Sequence, residues 1–102
     1  MDAKTIYKDD FETSREVWIE ADNERLTMYQ QDLGPACRMM AGDDEYECEI
    51  SCSLQDLMKA MSLPDEVSLL ESLASMFSTA DALDRFCEFL SSHSIKYDYY
   101  SC

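Results

Sequence analysis

The spacing of the apolar residues changes at Ser53, from every second position before it to every third or fourth position after it. Alternation by two is typical of a strand with one buried face, and a spacing of three to four is typical of a helix. The pattern therefore predicts a β-rich half over about residues 1–52, a helical half over about 53–93 and a terminal strand over about 95–100. A chain of 102 residues has the usual size of one domain, so we expect a single α+β domain spanning residues 1–102.

Two N-terminal hairpins are predicted. The first covers residues 16–30, with Asp22-Asn23 as a two-residue turn. That turn would pair Ala21 with Glu24, Ile19 with Leu26 and Val17 with Met28 on one side, and Glu20 with Arg25 and Trp18 with Thr27 on the other. The second hairpin would run from Cys37–Ala41 through the turn 42–44 into the strand Glu45–Cys52. The two hairpins and the terminal strand predict a small antiparallel sheet.

About three helices should pack on one face of this sheet. Three Ser-x-x-Asp motifs resemble capping boxes at the helix starts, namely Ser53 with Asp56, Ser62 with Asp65, and Ser78 with Asp81. The predicted apolar stripes are Leu54, Leu57, Met58 and Met61; then Val67, Leu70, Ala74 and Phe77; then Leu83, Phe86, Cys87 and Leu90. Leu69, Leu73 and Met76 flank the second stripe, which predicts that the second helix is central.

The charge balance is strongly acidic, because 22 Asp and Glu residues oppose eight Lys and Arg, for a formal net charge of -14. Such a chain repels nucleic acid and anionic membranes, and its apolar runs are too short to span a bilayer. The charge instead predicts a basic protein partner or a surface charged for solubility.

Nothing in the sequence predicts catalysis, a cofactor or a metal ion. The acidic stretch 42–45 lacks the spacing of a calcium loop, and two glycines leave no phosphate-binding loop. The single histidine, His93, falls in the turn after the last helix, where a helix-end role is expected. Five cysteines without a C-x-x-C pair, behind an amino terminus without an apolar signal region, predict reduced thiols in a cytoplasm.

Three acidic clusters are the candidate partner-binding residues. The first contains Asp43, Asp44, Glu45, Glu47 and Glu49; the second contains Asp9, Asp10 and Glu12; the third contains Glu20, Asp22 and Glu24. The three glutamates of the first cluster share one strand face at a spacing of about 6.8 Å, which predicts an exposed ridge that the other clusters extend. Each cluster also fits a plain solvated surface, and the tyrosines and Trp18 fit either a protein interface or a half-buried sheet.

The total charge permits mimicry of nucleic acid. Duplex DNA carries one charge per ~1.7 Å, so 14 net charges correspond to about 24 Å of duplex. A compact domain of this length has a radius of gyration of ~13 Å, so its width is comparable with that length.

In size, charge, fold pattern and lack of catalytic groups, the chain resembles the small acidic inhibitors of phages and mobile elements, namely anti-CRISPR proteins and anti-restriction DNA mimics. The segment DDEYECE, residues 43–49, carries most of this resemblance. It implies a non-catalytic inhibitor, a monomer or small homo-oligomer, that occupies a basic nucleic-acid-binding surface of a bacterial defence complex. Two other classes stay open: an immunity or antitoxin-like protein that caps a basic toxin, and an acidic structural or housekeeping module.

Overall fold

The computed structural model describes residues 2–35 and 45–101. Its elements, in chain order, are β1 (Asp2–Lys8), β2 (Ser14–Asp22), β3 (Arg25–Leu33), β4 (Glu45–Ser53), α1 (Leu54–Met61), α2 (Glu66–Met76), α3 (Ala82–Ser92) and β5 (Tyr97–Ser101). The strands form one antiparallel sheet in the order β1-β2-β3-β4-β5. The predicted α+β class, with mostly C-terminal helices, is confirmed.

The first hairpin forms, but its predicted register is wrong by two residues. Asp22 pairs with Arg25, so the turn residues are Asn23 and Glu24, and both have positive φ, at 49° and 68°. A two-residue turn with two positive φ values matches the twist of a hairpin, and asparagine enters that region readily. Strands β2 and β3 accordingly pair Ala21 with Leu26, Ile19 with Met28, Val17 with Gln30, Glu20 with Thr27 and Trp18 with Tyr29.

Strand β1 was not predicted, because its apolar alternation is weak. It pairs with β2 along one edge of the sheet, and the register shifts between Thr5 and Tyr7. Lys4 and Lys8 are exposed along it. Lysines and a bulge are common on edge strands, where they hinder pairing with further chains.

Strand β4 lies between β3 and β5, which pairs with it through residues 48–52. The strand predicted as its hairpin partner, residues 37–41, and the predicted turn 42–44 lie outside the described residues. Strand β4 alternates as predicted, since Cys48, Ile50 and Cys52 are buried while Glu45 and Glu47 are exposed.

The core lies between the sheet and the three helices. The sheet contributes Ile6, Val17, Ile19, Ala21, Leu26, Met28, Cys48, Ile50 and Cys52, and the helical half contributes Leu57, Leu69, Leu70, Leu73, Phe77, Ala82, Leu83, Phe86, Leu90 and Ile95. Because the buried strand side chains all belong to one face, none of the three described helices lies over the other face of the sheet. Among the described residues, no helix is long and apolar enough to cross a membrane.

One of the three predicted capping boxes starts a helix as expected. The Ser53 hydroxyl accepts a hydrogen bond from the Asp56 amide at the start of α1. Ser62 instead ends α1 with φ 55°, and Asp65 caps α2 by accepting from the Ser68 amide. Asp81 occupies the cap position of α3 and makes no side-chain capping bond, so both downstream predictions were wrong. A carboxylate at the N-cap accepts the same kind of backbone hydrogen bond as a serine hydroxyl. The Ser-x-x-Asp spacing alone therefore does not show whether the serine or the aspartate caps the helix.

Helix α2 is less enclosed than its apolar composition predicted. Leu69, Leu70 and Leu73 are buried, whereas Val67 is 60% exposed and Met76 is 39% exposed. The helix packs one side on the rest of the domain, so an all-round apolar sequence leaves part of its surface in water.

Candidate protein-binding face

The face of the sheet opposite the helices, called the open face below, displays side chains from four consecutive strands. None of these side chains is buried. They are Glu16, Trp18, Glu20 and Asp22 of β2; Arg25, Thr27, Tyr29, Gln31 and Leu33 of β3; Glu45, Glu47, Glu49, Ser51 and Ser53 of β4; and Asp98 and Tyr100 of β5. Register places side chains from distant parts of the sequence next to one another on this face.

An aromatic row crosses the middle of the open face. Trp18 pairs with Tyr29, Tyr29 with Glu49, and Glu49 with Tyr100. The Trp18 and Tyr29 rings stack with centroids 5.2 Å apart and planes 13° apart. Tyr100, at the far end of the row, is 61% exposed. The row thus places apolar surface in water at the centre of a polar face, an arrangement typical of protein interfaces.

Seven carboxylates surround this row. They are Glu16, Glu20, Asp22, Glu45, Glu47, Glu49 and Asp98. The cations beside them include Arg25, whose Nη2 lies 2.9 Å from Asp98, and Lys8 of the edge strand β1, which pairs with Glu16. The open face therefore carries a clear excess of negative charge.

Glu45 and Glu47 act as a pair. The Gln31 side-chain amide donates to Oε1 of Glu45 at 2.8 Å and to Oε1 of Glu47 at 3.0 Å. A hydrogen bond between the two carboxyl groups lowers the pKa of Glu45, with help from Gln31, and raises the pKa of Glu47. Two carboxylates this close repel each other when both are ionised, so they retain a proton more readily than separate glutamates.

The pKa of Tyr29, at the centre of the open face, is raised, in part by neighbouring negative charges. Partial burial is the largest cause of this raised pKa, and the charges of Glu20 and Glu49 raise it further. Both carboxylates therefore act on the phenol, one from β2 and one from β4. A cation placed beside Tyr29 would be attracted by both of them.

The three predicted acidic clusters do not form one ridge. Glu45, Glu47, Glu49 and Glu20 lie on the open face, with Asp22 at its hairpin end. Glu24 is exposed in the turn of that hairpin, while exposed Asp10 and Glu12 lie in the loop before β2. Strand β2 has nine residues, so these two ends are separated by about 27 Å. Asp43 and Asp44 lie outside the described residues.

Asp9 has a structural role rather than a place on the open face. Its carboxylate accepts hydrogen bonds from the Tyr7 hydroxyl and from the Arg15 backbone amide, each at 2.8 Å. The bond from the Arg15 amide is the main cause of its lowered pKa. Asp9 thereby closes the loop between β1 and β2.

Sequence reasoning missed Glu16 and Asp98 as members of the face. Both alternate with inward-facing residues of their strands, so alternation would have assigned their side. Their cross-strand neighbours, Gln31 for Glu16 and Ser51 for Asp98, depend on which strands pair, and only the register of the folded sheet gives that.

Groups that could support other chemistry are dispersed. No three potential metal ligands come together among the described residues. His93 is exposed at the end of α3, with Nδ1 2.9 Å from the Phe89 carbonyl oxygen, as the helix-end interpretation expects. The described thiols are free: Cys48 and Cys52 are buried, and burial raises the pKa of Cys52 to about 11. Such a thiol is a poor nucleophile.

Comparison with protein-family models, curated proteins and solved structures finds no match.

Proposed function

We propose that this protein acts by binding, and that its open face docks on a basic surface of another protein. The observation that carries the proposal is the open face itself, where seven carboxylates surround an aromatic row on a sheet surface that no helix within residues 2–35 and 45–101 covers. Carboxylates steer a cationic partner and set its orientation, and central aromatic residues supply most of the affinity in many interfaces.

The partner class follows from the resemblance to acidic phage inhibitors. We propose a stoichiometric inhibitor that occupies the nucleic-acid-binding surface of a bacterial defence protein. Such surfaces are rich in lysine and arginine, and they neutralise phosphates by direct contact. The carboxylates of the open face would replace some of these phosphates, without catalysis and without a cofactor. We place this activity in a cytoplasm, where the free thiols of the chain stay reduced.

The charge density limits how closely the protein imitates DNA. Residues 2–35 and 45–101 contain 20 acidic and seven basic side chains, a net charge of -13 over a longest dimension of 42 Å. This is about one net charge per 3 Å, half the density of duplex DNA and near that of a single strand at about 3.4 Å. Charges also lie on the helices, so the open face replaces only part of a phosphate track. Aromatic contacts must therefore add to the affinity.

The decisive experiment reverses charge on one face at a time. Replacing Glu45, Glu47 and Glu49 with lysine changes the open face, and replacing Glu71, Asp84 and Glu88 with lysine changes exposed helix positions by the same net charge. Each variant is immobilised, and proteins of a bacterial lysate are captured at low salt and eluted with a salt gradient. We expect the open-face variant to lose the captured basic protein and the helix variant to keep it.

A competition experiment tests the target class. Duplex DNA or single-stranded nucleic acid added to the captured partner should displace the protein, because both would occupy the same surface. A partner that binds nucleic acid and this protein together would exclude groove occupancy. A partner that is itself a toxic enzyme would instead favour the immunity-protein function. Equal loss of binding in the two charge-reversal variants would mean that net charge, and not the open face, determines capture.

A further inference from the structure

The open face contains a depression between β2 and β5 whose lining is partly aromatic and partly acidic. Its volume is about 180 Å³, and its lining includes Trp18, Tyr29, Glu47, Glu49 and Tyr100. Pockets for small molecules usually measure about 300–1,000 Å³, so this one has room for a single side chain rather than for a metabolite.

The arrangement of the lining matches a flat cation. Tyr29 and Tyr100 each pair with Glu49 from opposite sides, so their Cα atoms are two strand spacings apart, about 9.6 Å. A planar group in van der Waals contact with rings on both sides needs about 7–8 Å. Glu49 stands between the two tyrosines, where its carboxylate can accept two parallel N–H donors from such a group.

We infer that the depression is a recognition site for an arginine side chain of the basic partner, with the guanidinium lying against Tyr29 and Tyr100 and paired with Glu49. This inference rests on the proposed function, and it specifies which partner residue the open face selects. Charge and shape both favour arginine, because the guanidinium is planar and stacks on aromatic rings, whereas the lysine ammonium is a compact and strongly hydrated charge. Trp18, stacked on the far side of Tyr29, holds that ring in place.

The single tryptophan of the chain makes the site directly observable. Trp18 lines the depression, so its fluorescence reports occupancy without a label. The probes are two blocked peptides of equal charge, hexa-arginine and hexa-lysine, titrated into the full chain at low salt. We expect a saturable change in Trp18 emission with both peptides, and a dissociation constant about fivefold lower for hexa-arginine.

Three variants test which residues produce the preference for hexa-arginine over hexa-lysine. Glu49→Gln removes the paired charge and keeps the side-chain shape, Tyr100→Leu removes one aromatic wall, and Glu88→Gln is a charge-matched control at an exposed position of α3. The first two should reduce the preference for arginine to about twofold or less, and the control should keep it. The circular dichroism melting curve of each variant establishes that it is folded, and Glu49→Gln provides the test if Tyr100→Leu does not fold.

The results distinguish the proposed arginine site from the proposed docking of the open face on a basic protein. Equal affinity for the two peptides, or an arginine preference that survives Glu49→Gln in the folded protein, would overturn the arginine site while leaving a general acidic docking face intact. Loss of partner capture in the helix-face charge reversal as well as in the open-face reversal would overturn the proposed function, whatever the peptides do. An arginine preference that depends on Glu49 and Tyr100 supports the site.

Discussion

Arg15 binds Asp32 across β2 and β3 through two parallel hydrogen bonds, Nε to Oδ1 at 2.7 Å and Nη2 to Oδ2 at 2.9 Å. The remaining Nη1 donates to the Ala80 carbonyl at 2.8 Å, in the turn before α3. Asp32 is only 8% exposed, and its hydrogen bond to Arg15 is the main cause of the raised pKa of the arginine. This pair connects the sheet to the helical half on the side opposite the open face.

Replacing Arg15 with methionine should destabilise the protein by about 2 kcal/mol, because it leaves a mostly buried carboxylate without its cation. The estimate lies below the value for fully buried pairs because the Arg15 side chain is 34% exposed. Urea unfolding followed by circular dichroism measures the change. The control is Arg25→Met, which breaks the exposed pair with Asp98 and should cost less than about 0.5 kcal/mol. Equal losses would mean that the Arg15 pair has no special structural role.

Gly34 should not tolerate a side chain. Its φ is +141°, and a Cβ atom there would lie 2.5 Å from the Glu12 carbonyl oxygen and 2.6 Å from the Thr13 Cα. Both neighbours are backbone atoms that cannot rotate away, so Gly34→Ala should cost about 2–3 kcal/mol in unfolding free energy. Glu12→Ala changes the same contact region without adding a clash and should cost less than about 0.5 kcal/mol. A stable Gly34→Ala protein would contradict the close approach of this loop to the end of β3.

The two-residue error in the first hairpin has a simple physical origin. Side chains alternate with a period of two, so a slip of two residues keeps every apolar residue of β2 and β3 on the same face. Both registers bury Ile19 and Met28, and the apolar pattern is satisfied by either. Only the turn distinguishes them, and in the structure the turn residues are Asn23 and Glu24, both with positive φ.

Replacing Glu24 with glycine should stabilise the protein by about 0.5–1 kcal/mol. Glu24 has φ 68°, which strains a side chain, and Asn-Gly is the preferred sequence for this turn. Thermal and urea unfolding measure the effect. Glu24→Gln removes the charge and keeps the strain, so it should change stability little. If Asn23→Gly stabilised the protein more than Glu24→Gly, the turn would be centred on Asp22-Asn23 instead.

The sequence predicts which side chains of one strand share a face. It does not predict which strands lie next to one another and so form the open face. Alternation within β4 placed Glu45, Glu47 and Glu49 on one face, because nothing beyond the strand itself was needed. The aromatic row joins Trp18 to Tyr100, and it depends on pairing between β4 and a strand about 50 residues further along the chain. Local sequence carries no signal for that pairing, since the three intervening helices return the chain to the sheet through tertiary packing.

The Glu45–Glu47 pair should make binding of a cationic peptide pH-dependent. The pKa of Glu47 is raised in the free protein by its hydrogen bond with Glu45, so Glu47 is partly protonated at a pH where an ordinary glutamate is ionised. A peptide cation interacts with the ionised form, so binding releases this proton. Affinity should therefore rise as pH increases from about 4.5 towards 7, and become constant once Glu47 is fully ionised.

Titration of hexa-arginine at a series of pH values tests this linkage. Glu45→Gln removes the neighbour that raises the pKa of Glu47, so the rise in affinity should shift to lower pH, and Glu47→Gln should remove its upper part. Carbon-13 NMR of the side-chain carboxyl groups gives the two titrations directly, with Glu47 expected at the higher pH and Glu45 at the lower. For the free protein the sign is opposite: the raised pKa of Glu47 contributes stability at low pH, and that contribution is lost as the pH rises through its folded value. Coincident titration of Glu45 and Glu47 would mean that the two carboxyl groups do not share a proton, and the pH dependence of binding would then have to come from other residues of the open face.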